Sequence, residues 1–289
     1  MVLWCRILSN VCRLLQIHSI LLYGAGWQPY KYIMSGSYRN EDASLHRTIK
    51  WSEFAAICTR LREFYTKDTT FFVFLRGEQS LFKKMKIIAV GMNYVAHCQE
   101  LHANENLPQE PVIFMKPDSA LLKDSKPFFI PDFSKRVDYE TELVVRICRL
   151  GKNIAPRFAH RYYDAVTVGI DFTARDLQNK LRAEGKPWEI SKGFDNSAVI
   201  GDFVPVSRFK DVQNLDFHLN IDGNKVQEGH TRDMIFKIDD LIAYVSQFYT
   251  LKIGDLLYTG TPVGVGPVSI GQHLEGYLEG EKLLDFYVR

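Results

Sequence analysis

Three acidic residues alternate with other side chains along one short segment, at Asp138, Glu140 and Glu142. Successive side chains of a β-strand point to opposite faces, so this spacing places the three carboxylates on one face, about 7 Å apart. Carboxylates at that distance repel one another unless water or a cation compensates their charge. The segment therefore has two interpretations, a solvated edge strand or a site for a hard cation such as Mg²⁺ or Mn²⁺.

A fourth carboxylate, Asp171, follows an apolar segment that predicts a strand over 165–170. The next residues predict a helix over 173–184, which Thr173 would open. Arg175 and Gln178 share one face of that helix, with Asp171 one turn before them. This face either contacts a polar ligand or is an ordinary surface face on which Asp171 only stabilises the helix N-terminus.

An imidazole and a carboxylate, His97 and Glu100, stand three residues apart. If the segment is helical, Glu100 can hold the His97 ring in one tautomer and make it a general base. The alternative is a surface ion pair on a short helix. Further along the chain, Lys192 precedes a glycine and is expected in a loop.

A glycine-containing run over 259–267 follows a predicted strand and could bring backbone N–H groups together around an anion. It is not a P-loop, because no Gly-Lys-Ser/Thr follows. The sequence also contains no dinucleotide fingerprint, serine nucleophile elbow or His-Glu-x-x-His zinc motif. These absences exclude the common classes of nucleotide-binding, serine-hydrolase and zinc-protease sites.

The elements that position these residues are mostly strands. Short segments rich in β-branched and aromatic residues predict strands over 87–91, 111–115, 139–147, 165–170, 217–221 and 255–259. Asp222-Gly223 predicts a tight hairpin. Helices are fewer and are predicted over 159–164, 173–184, 207–211 and 238–248. Many strands without regular βα alternation predict an α+β, mainly β fold and argue against Rossmann and TIM architectures.

Composition excludes several classes of partner. The chain has 289 residues with a formal net charge of +2, which gives no reason to expect nucleic acid or an anionic membrane as partner. The five cysteines are scattered and form no CxxC pair, so neither a disulfide framework nor a zinc knot is expected. We therefore predict a reducing compartment, the cytoplasm. The longest early apolar stretch is too short to span a bilayer.

Charge divides the chain near residue 84. Residues 1–84 carry 12 Lys/Arg and 6 Asp/Glu, whereas 85–289 carry 24 and 28. Met85 stands at this change, directly before a predicted strand. Residues 1–84 are expected to be either a basic, loosely ordered extension or upstream sequence that the natural protein does not carry. An amphipathic helix is nevertheless predicted over 52–67. Residues 85–289 are expected to form the catalytic domain.

Taken together and in this order, these segments resemble the fumarylacetoacetate hydrolase family. The resemblance runs from Met85 to the C-terminus and is carried by the runs 138–143, 171–178 and 259–266 and by the segment around Lys192. The closest branch contains short members that act on acylpyruvates or oxaloacetate, or that isomerise hydroxyheptadienedioate. The resemblance implies the family's mixed β-roll with short helices, usually as a homodimer.

The resemblance also implies roles for individual residues. Glu140, Glu142 and Asp171 correspond to the ligands of one Mg²⁺ or Mn²⁺. His97 and Glu100 correspond to a dyad that activates water, and Lys192 to a catalytic lysine. The residues that match substrate-contacting positions are Arg175, Gln178 and Thr261.

The leading hypothesis is hydrolytic cleavage of a C–C bond in acylpyruvates, a class of 2,4-diketo acids, which yields pyruvate and a carboxylic acid. Two alternatives use the same binding of a small 2-oxo acid, an oxaloacetate decarboxylase and a 2-hydroxyhepta-2,4-diene-1,7-dioate isomerase. A more distant alternative is a non-enzymatic β-rich binding module, whose thermal stability would respond to neither EDTA nor Mg²⁺.

Overall fold

The computed structural model describes residues 85–101 and 107–289. The expectations for 1–84, including the helix over 52–67, lie outside these residues. Within the described ranges, no helix combines the length and the apolar character that crossing a membrane would require.

The described residues form many short strands and a few short helices. The strands are β1 (Ile87–Gly91), β2 (Val112–Lys116), β3 (Leu121–Leu122), β4 (Val137–Tyr139), β5 (Thr141–Ile147), β6 (Tyr163–Asp171), β7 (Thr173–Ala174), β8 (Ala198–Ile200), β9 (Val204–Pro205), β10 (Asp216–Ile221), β11 (Asn224–His230), β12 (Leu256–Tyr258), β13 (Gly266–Pro267), β14 (His273–Leu278) and β15 (Glu281–Tyr287). The α-helices are α1 (Val95–Leu101), α2 (Pro156–Ala159), α3 (Arg175–Ala183), α4 (Glu189–Lys192) and α5 (Ile238–Phe248). Short 3-10 turns cover Asp118–Ala120, Val206–Arg208 and Thr231–Asp233.

A large mixed sheet organises the fold. Its strand order is β2-β1-β12-β5-β6-β8-β3, and β9 pairs with β6. The β1–β12 and β3–β8 pairs are parallel, while the central β5–β6 pair is antiparallel. Two smaller sheets have the orders β11-β10-β14-β15 and β13-β4-β7. This arrangement confirms the predicted mainly β, mixed architecture with short helices.

The alternation of side chains along β5 separates the core from the site. Leu143 and Val145 point to one face and pack in a cluster with Leu241 and Val245 of helix α5. Glu142 and Val144 point to the opposite face, where Val144 packs in a different apolar cluster. The strand therefore presents a carboxylate on one side while the other side is anchored in the core.

Several predicted elements agree with the structure. Strand β1 and helix α5 have the predicted bounds, and the Asp222-Gly223 hairpin joins β10 to β11. Gly223 has a φ of +79°, as this kind of hairpin turn requires. The strands predicted over 111–115, 165–170, 217–221 and 255–259 are present with end shifts of one or two residues.

Other predicted elements were wrong. The strand predicted over 139–147 is interrupted at Glu140, so that β4 joins the small sheet and β5 the large one. The helix predicted over 159–164 ends at Ala159, because Tyr163 already pairs with Ile147 of β5.

Two more predicted helices are shorter than expected. The helix predicted over 173–184 begins only at Arg175, since Thr173–Ala174 pairs with β4 as strand β7. The helix predicted over 207–211 is the short 3-10 turn Val206–Arg208. In each case, pairing with a distant strand or a tighter local turn outweighs the local helical pattern.

The packing of β5 against helix α5 leads to a prediction about stability. Replacing the fully buried Leu143 by alanine removes packing against α5, and we expect it to lower the free energy of unfolding by about 2–5 kcal/mol. The matched control is Leu150→Ala, because Leu150 is 63% exposed, and its effect should stay within about 0.5 kcal/mol. Urea denaturation measures both. Equal effects of the two variants would contradict the assigned core.

Candidate metal centre

Three predicted residues, Glu140, Glu142 and Asp171, come together in the interior. All three side chains are buried, and one carboxylate oxygen of each lies within 4.8 Å of the other two. The antiparallel β5–β6 pair produces this proximity, because Glu142 stands opposite Gly169, two residues before Asp171. The Asp171 backbone N–H also donates to the Glu140 carbonyl at 2.8 Å. The cluster is therefore built by strand pairing and not by a flexible loop.

Asp138, which the sequence places on the same face, does not join this cluster. Its carboxylate accepts hydrogen bonds from Arg136 Nε and Arg175 Nε, both at 2.8 Å. The reason is the interruption at Glu140, which puts Asp138 on β4 in the small sheet. Asp138 therefore orients Arg175, which in turn contacts Glu140.

Two cationic side chains compensate Glu140 directly. Lys192 Nζ lies 2.6 Å from Glu140 Oε2 and 2.7 Å from Asp171 Oδ2, and Arg175 Nη2 lies 2.5 Å from Glu140 Oε1. Burial alone would raise the pKa of Glu140, but the Lys192 and Arg175 charges outweigh it and hold the pKa well below its usual range. Burial would likewise lower the pKa of Lys192, yet Asp171 and Glu140 raise it above the ordinary value. Lys192 is therefore an ammonium.

The negative charge of Glu142 is the least compensated of the three. Its Oε2 accepts a hydrogen bond from the Gly260 backbone N–H at 2.6 Å. Burial, followed by the negative charges of Asp171 and Glu140, raises the pKa of Glu142 well above its usual value. A cation placed between the three carboxylates would remove this repulsion.

The donor set fits a hard divalent cation. All of the ligating atoms offered by this cluster are carboxylate oxygens, which Mg²⁺ and Mn²⁺ prefer. Asp171 Oδ1 accepts no hydrogen bond of suitable geometry, although Lys116 Nζ lies 2.5 Å away. The cluster thus keeps a buried oxygen lone pair for an ion. The ligand roles of the three residues remain a prediction.

Lys116 is a site residue that the sequence analysis missed. It ends strand β2, its side chain is fully buried, and it contacts Asp171. Burial lowers the pKa of Lys116, and the neighbouring Asp171 partly opposes this effect. A signal was present in the sequence, because Lys116 shares the face of Phe114 at the end of an apolar strand.

His97 and Glu100 lie on helix α1, as their spacing requires. His97 is buried and lines the same cavity as the three carboxylates. Its Nδ1 lies 3.5 Å from Glu100 Oε2, an ion-pair distance that is longer than a good hydrogen bond. The structure therefore brings the predicted pair to the site, with Glu100 on the Nδ1 side of the ring.

The glycine-containing run donates backbone N–H groups to two different carboxylates of the site, so the predicted convergence on one anion is not what these contacts form. Gly260 donates to Glu142, and Gly264 donates to both carboxylate oxygens of Glu100 at 3.3 Å. Gly260 has a φ of +99°, and a Cβ there would meet Asn93 at 2.7 Å. The turn thus holds one predicted metal ligand and one member of the His97–Glu100 pair.

The residues predicted to contact substrate line the same cavity. Arg175 Nη1 donates to Gln178 Oε1 at 2.5 Å, which fixes both side chains on one face of α3. The Thr261 hydroxyl donates to the Thr141 carbonyl at 2.9 Å. Lys192, expected in a loop, is instead the last residue of the single-turn helix α4.

An apolar wall faces these polar groups. Phe114 and Trp188 meet edge to face, with ring centroids 6.1 Å apart, and Lys192 Nζ lies 5.2 Å from the Phe114 ring centroid. The whole cavity is lined by Val90, Gly91, Met92, His97, Phe114, Glu140, Glu142, Asp171, Arg175, Gln178, Trp188, Lys192 and Thr261. The cavity therefore combines charged groups of both signs with an apolar wall.

The raised pKa of Glu142 gives a pH-dependent prediction for the metal-free protein. A carboxyl whose folded pKa lies above the unfolded value of about 4.3 loses its stabilising contribution as the pH rises through the folded pKa. Glu142→Gln removes that titration and keeps an oxygen for Gly260. In EDTA, we expect the variant to gain stability relative to the unmodified protein as the pH rises above about 5. Urea denaturation across a pH series tests this, and a pH-independent difference would contradict it.

Comparison with known proteins identifies the family of the chain. The family model for the C-terminal part of fumarylacetoacetate (FAA) hydrolase matches residues 86–285. A mitochondrial oxaloacetate tautomerase of Arabidopsis thaliana is 40% identical over 211 residues, 73% of this chain and 94% of the relative. The mitochondrial oxaloacetate decarboxylase of Dictyostelium discoideum is 41% identical over 196 residues, 68% of this chain and 89% of the relative.

A solved structure extends the comparison to the fold. Fumarylpyruvate hydrolase from Pseudomonas aeruginosa, in complex with Mn²⁺ and pyruvate, superimposes with a TM-score of 0.65 at 34% identity. The match covers 70% of this chain and 88% of that protein. The relatives thus share the fold and differ in the reaction for which they are named. The resemblance found in the sequence is confirmed, and the chain belongs to the fumarylacetoacetate hydrolase family.

Proposed function

We propose that the protein is a divalent-metal-dependent enzyme that interconverts the enol and keto forms of a small 2-oxo acid, with oxaloacetate as the first candidate. The observation that carries the proposal is the buried cluster of Glu140, Glu142 and Asp171 with the Lys192 ammonium against two of its members. The relative named as an oxaloacetate tautomerase supports this choice of substrate. The C–C hydrolysis favoured by the sequence analysis becomes the second candidate.

The three carboxylates would hold Mg²⁺ or Mn²⁺. When bound, such an ion supplies a Lewis acid that polarises the 2-oxo group and stabilises negative charge on its oxygen. The solved relative that contains both Mn²⁺ and pyruvate supports this pairing of ion and 2-oxo acid.

The cationic residues of the chain would bind and orient the substrate. Lys192 keeps its proton and can donate a hydrogen bond to an oxygen that becomes negative. Arg175 uses three N–H groups on Asp138, Gln178 and Glu140, and its guanidinium has five. The remaining two can bind a substrate carboxylate at the cavity wall.

His97 would move the proton. Tautomerisation of enol to keto takes one proton from the enol oxygen and places one on the neighbouring carbon, C3 of oxaloacetate, so no atom is gained or lost. His97 lines the cavity with Glu100 on its Nδ1 side, and its imidazole would exchange this proton with C3. Proton transfer by a positioned imidazole contributes about 10²–10⁴-fold to rate.

Acylpyruvate hydrolysis is the second candidate, and the His97–Glu100 pair beside the cavity favours it. In that reaction His97 would take a proton from water and the hydroxide would add to the distal carbonyl. The C–C bond would then break to release the carboxylic acid and the pyruvate enolate, whose carbon takes the proton back from His97. Likeness to the fumarylpyruvate hydrolase structure supports it as well. Decarboxylation of oxaloacetate would need no activated water and would use the same charge stabilisation at Lys192.

Two further expectations from the sequence stay predictions, and a third is disfavoured. The homodimer implied by the resemblance is a proposal that the mass of the protein in solution tests. The cytoplasmic location also stays a prediction, and two of the relatives above are named as mitochondrial. The non-enzymatic binding module is disfavoured, because those relatives and the solved structure carry enzyme names.

The proposed reaction is tested with the full chain and Mn²⁺ on oxaloacetate, following loss of enol absorbance and, separately, pyruvate formation. We expect faster enol–keto interconversion than in buffer with Mn²⁺ alone, and little pyruvate. Rapid pyruvate release would favour decarboxylation. Cleavage of acylpyruvates without effect on the oxaloacetate tautomers would overturn the first candidate in favour of the second.

Replacing His97 by asparagine should lower the tautomerisation rate by about 10²–10⁴-fold, because the general acid and base is lost. The same substitution at His218, a half-buried residue stacked on Tyr277 in the four-stranded sheet, serves as the control and should leave the rate unchanged. Initial rates at saturating Mn²⁺ measure both. A His97→Asn variant with the rate of the unmodified protein would remove His97 from the reaction.

Metal binding has its own prediction, independent of turnover. Mn²⁺ at a hundred times its Kd should stabilise the protein by about 2.7 kcal/mol and raise its Tm by several degrees. Glu142→Gln removes a ligand charge, so we expect that rise to be largely lost. Glu281→Gln, at an exposed residue paired with Arg208, should keep it in full. A full Mn²⁺-induced rise in Glu142→Gln would refute Glu142 as a ligand.

A further inference from the structure

Lys116 is the most deeply buried lysine of the described residues, with 2% of its surface exposed. Strand β2 ends at this residue, and the alternation of its side chains points Phe114 and Lys116 to the side of the cavity. Lys86, directly before strand β1, is less buried, because a quarter of its side chain is exposed while it pairs with Asp255. A lysine without water contact must find all its partners within the protein.

The contacts of Lys116 come from three separate segments around the site. Its Nζ lies 2.5 Å from Asp171 Oδ1 and donates to the backbone carbonyl of Lys192. It also lies 3.0 Å from both the carbonyl and the hydroxyl oxygen of Ser197, and 3.4 Å from the Phe172 carbonyl. The Asp171 contact is an ion pair, and in the other four contacts Lys116 Nζ donates a hydrogen bond.

These contacts connect Asp171 with Lys192, two residues whose relative position matters for the proposed reaction. Asp171 is a predicted metal ligand, and Lys192 is the ammonium that lies against it. Lys116 holds the Asp171 carboxylate from one side while it holds the main chain of Lys192, whose Nζ reaches the other carboxylate oxygen. The Ser197 hydroxyl donates to the same Lys192 carbonyl at 2.7 Å and completes the link.

We propose that Lys116 is a positioning residue that fixes Asp171 and Lys192 relative to each other and thereby prepares the site for its divalent ion. Lys116 does not line the cavity and acts only through these two residues. Partners that hydrogen-bond to metal-ligating carboxylates orient the ligands, and their loss commonly weakens metal binding by about 10–100-fold. The inference rests on the proposed metal site.

The test is calorimetric titration of the metal-free full chain with Mn²⁺ alone, in parallel with thermal denaturation. Lys116→Met, which keeps the length of the side chain without its charge or donors, should weaken the Kd for Mn²⁺ by about 10–100-fold. At saturating Mn²⁺ its kcat should still be reduced, because Lys192 is no longer held. The matched control is Lys86→Met, which breaks a lysine–aspartate pair outside the cavity and should lower the Tm while leaving the Kd unchanged.

Ser197→Ala provides a milder variant in case Lys116→Met does not fold. It removes one partner of Lys116 and should weaken Mn²⁺ binding by about 2–10-fold, the effect of one hydrogen bond. Unaltered Mn²⁺ affinity in Lys116→Met, or in Ser197→Ala where only that variant folds, would overturn the role of Lys116. If the unmodified protein binds no Mn²⁺, the proposed metal site itself is refuted, and the inference about Lys116 that rests on it is refuted as well.

Discussion

The buried carboxylates of Glu140, Glu142 and Asp171 can lie together only because positive charge from other parts of the chain lies against them. Like charges in a protein interior cost far more than at the surface, and removing them from water adds to that cost. Lys192 and Lys116 meet this requirement from two different segments. The compensation is uneven, because Glu142 accepts from a backbone N–H and, among the described residues, forms no ion pair with a lysine or arginine. It is therefore the position where an added cation gains most.

The architecture around the cluster follows from this constraint. The central β5–β6 pair places Glu142 beside Asp171. Because the strand is interrupted at Glu140, Asp138 does not join the cluster and binds Arg175. The cations come from different kinds of element, since Lys116 ends strand β2, Arg175 begins helix α3 and Lys192 ends the single-turn helix α4. The opposite face of β5 carries no charge and is anchored in the apolar core under α5. Strand pairing therefore positions the acids, and three separate elements supply the compensating charge.

Much of this was predictable from local sequence. A two-residue period of acids predicted that Glu140 and Glu142 share a face, because side chains alternate along a strand. That Asp171 joins them was implied by the resemblance to the family and not by the local pattern. The break after Tyr139 could not be predicted, since it depends on pairing between β4 and two distant strands. Lys116 was missed for a related reason. Its partners stand at least 55 positions away in sequence, so only the folded chain shows that its charge is buried and used.

The central claim is that three buried carboxylates bind one divalent ion, and anomalous diffraction from crystals grown with Mn²⁺ measures this directly. The account predicts one strong peak about 2 Å from an oxygen of each of Glu140, Glu142 and Asp171, with Lys192 beside it. The other group of suitable ligands in the described part of the chain is the more exposed set His273, Glu275 and Asp285. A peak there, with none in contact with Asp171, would contradict the account.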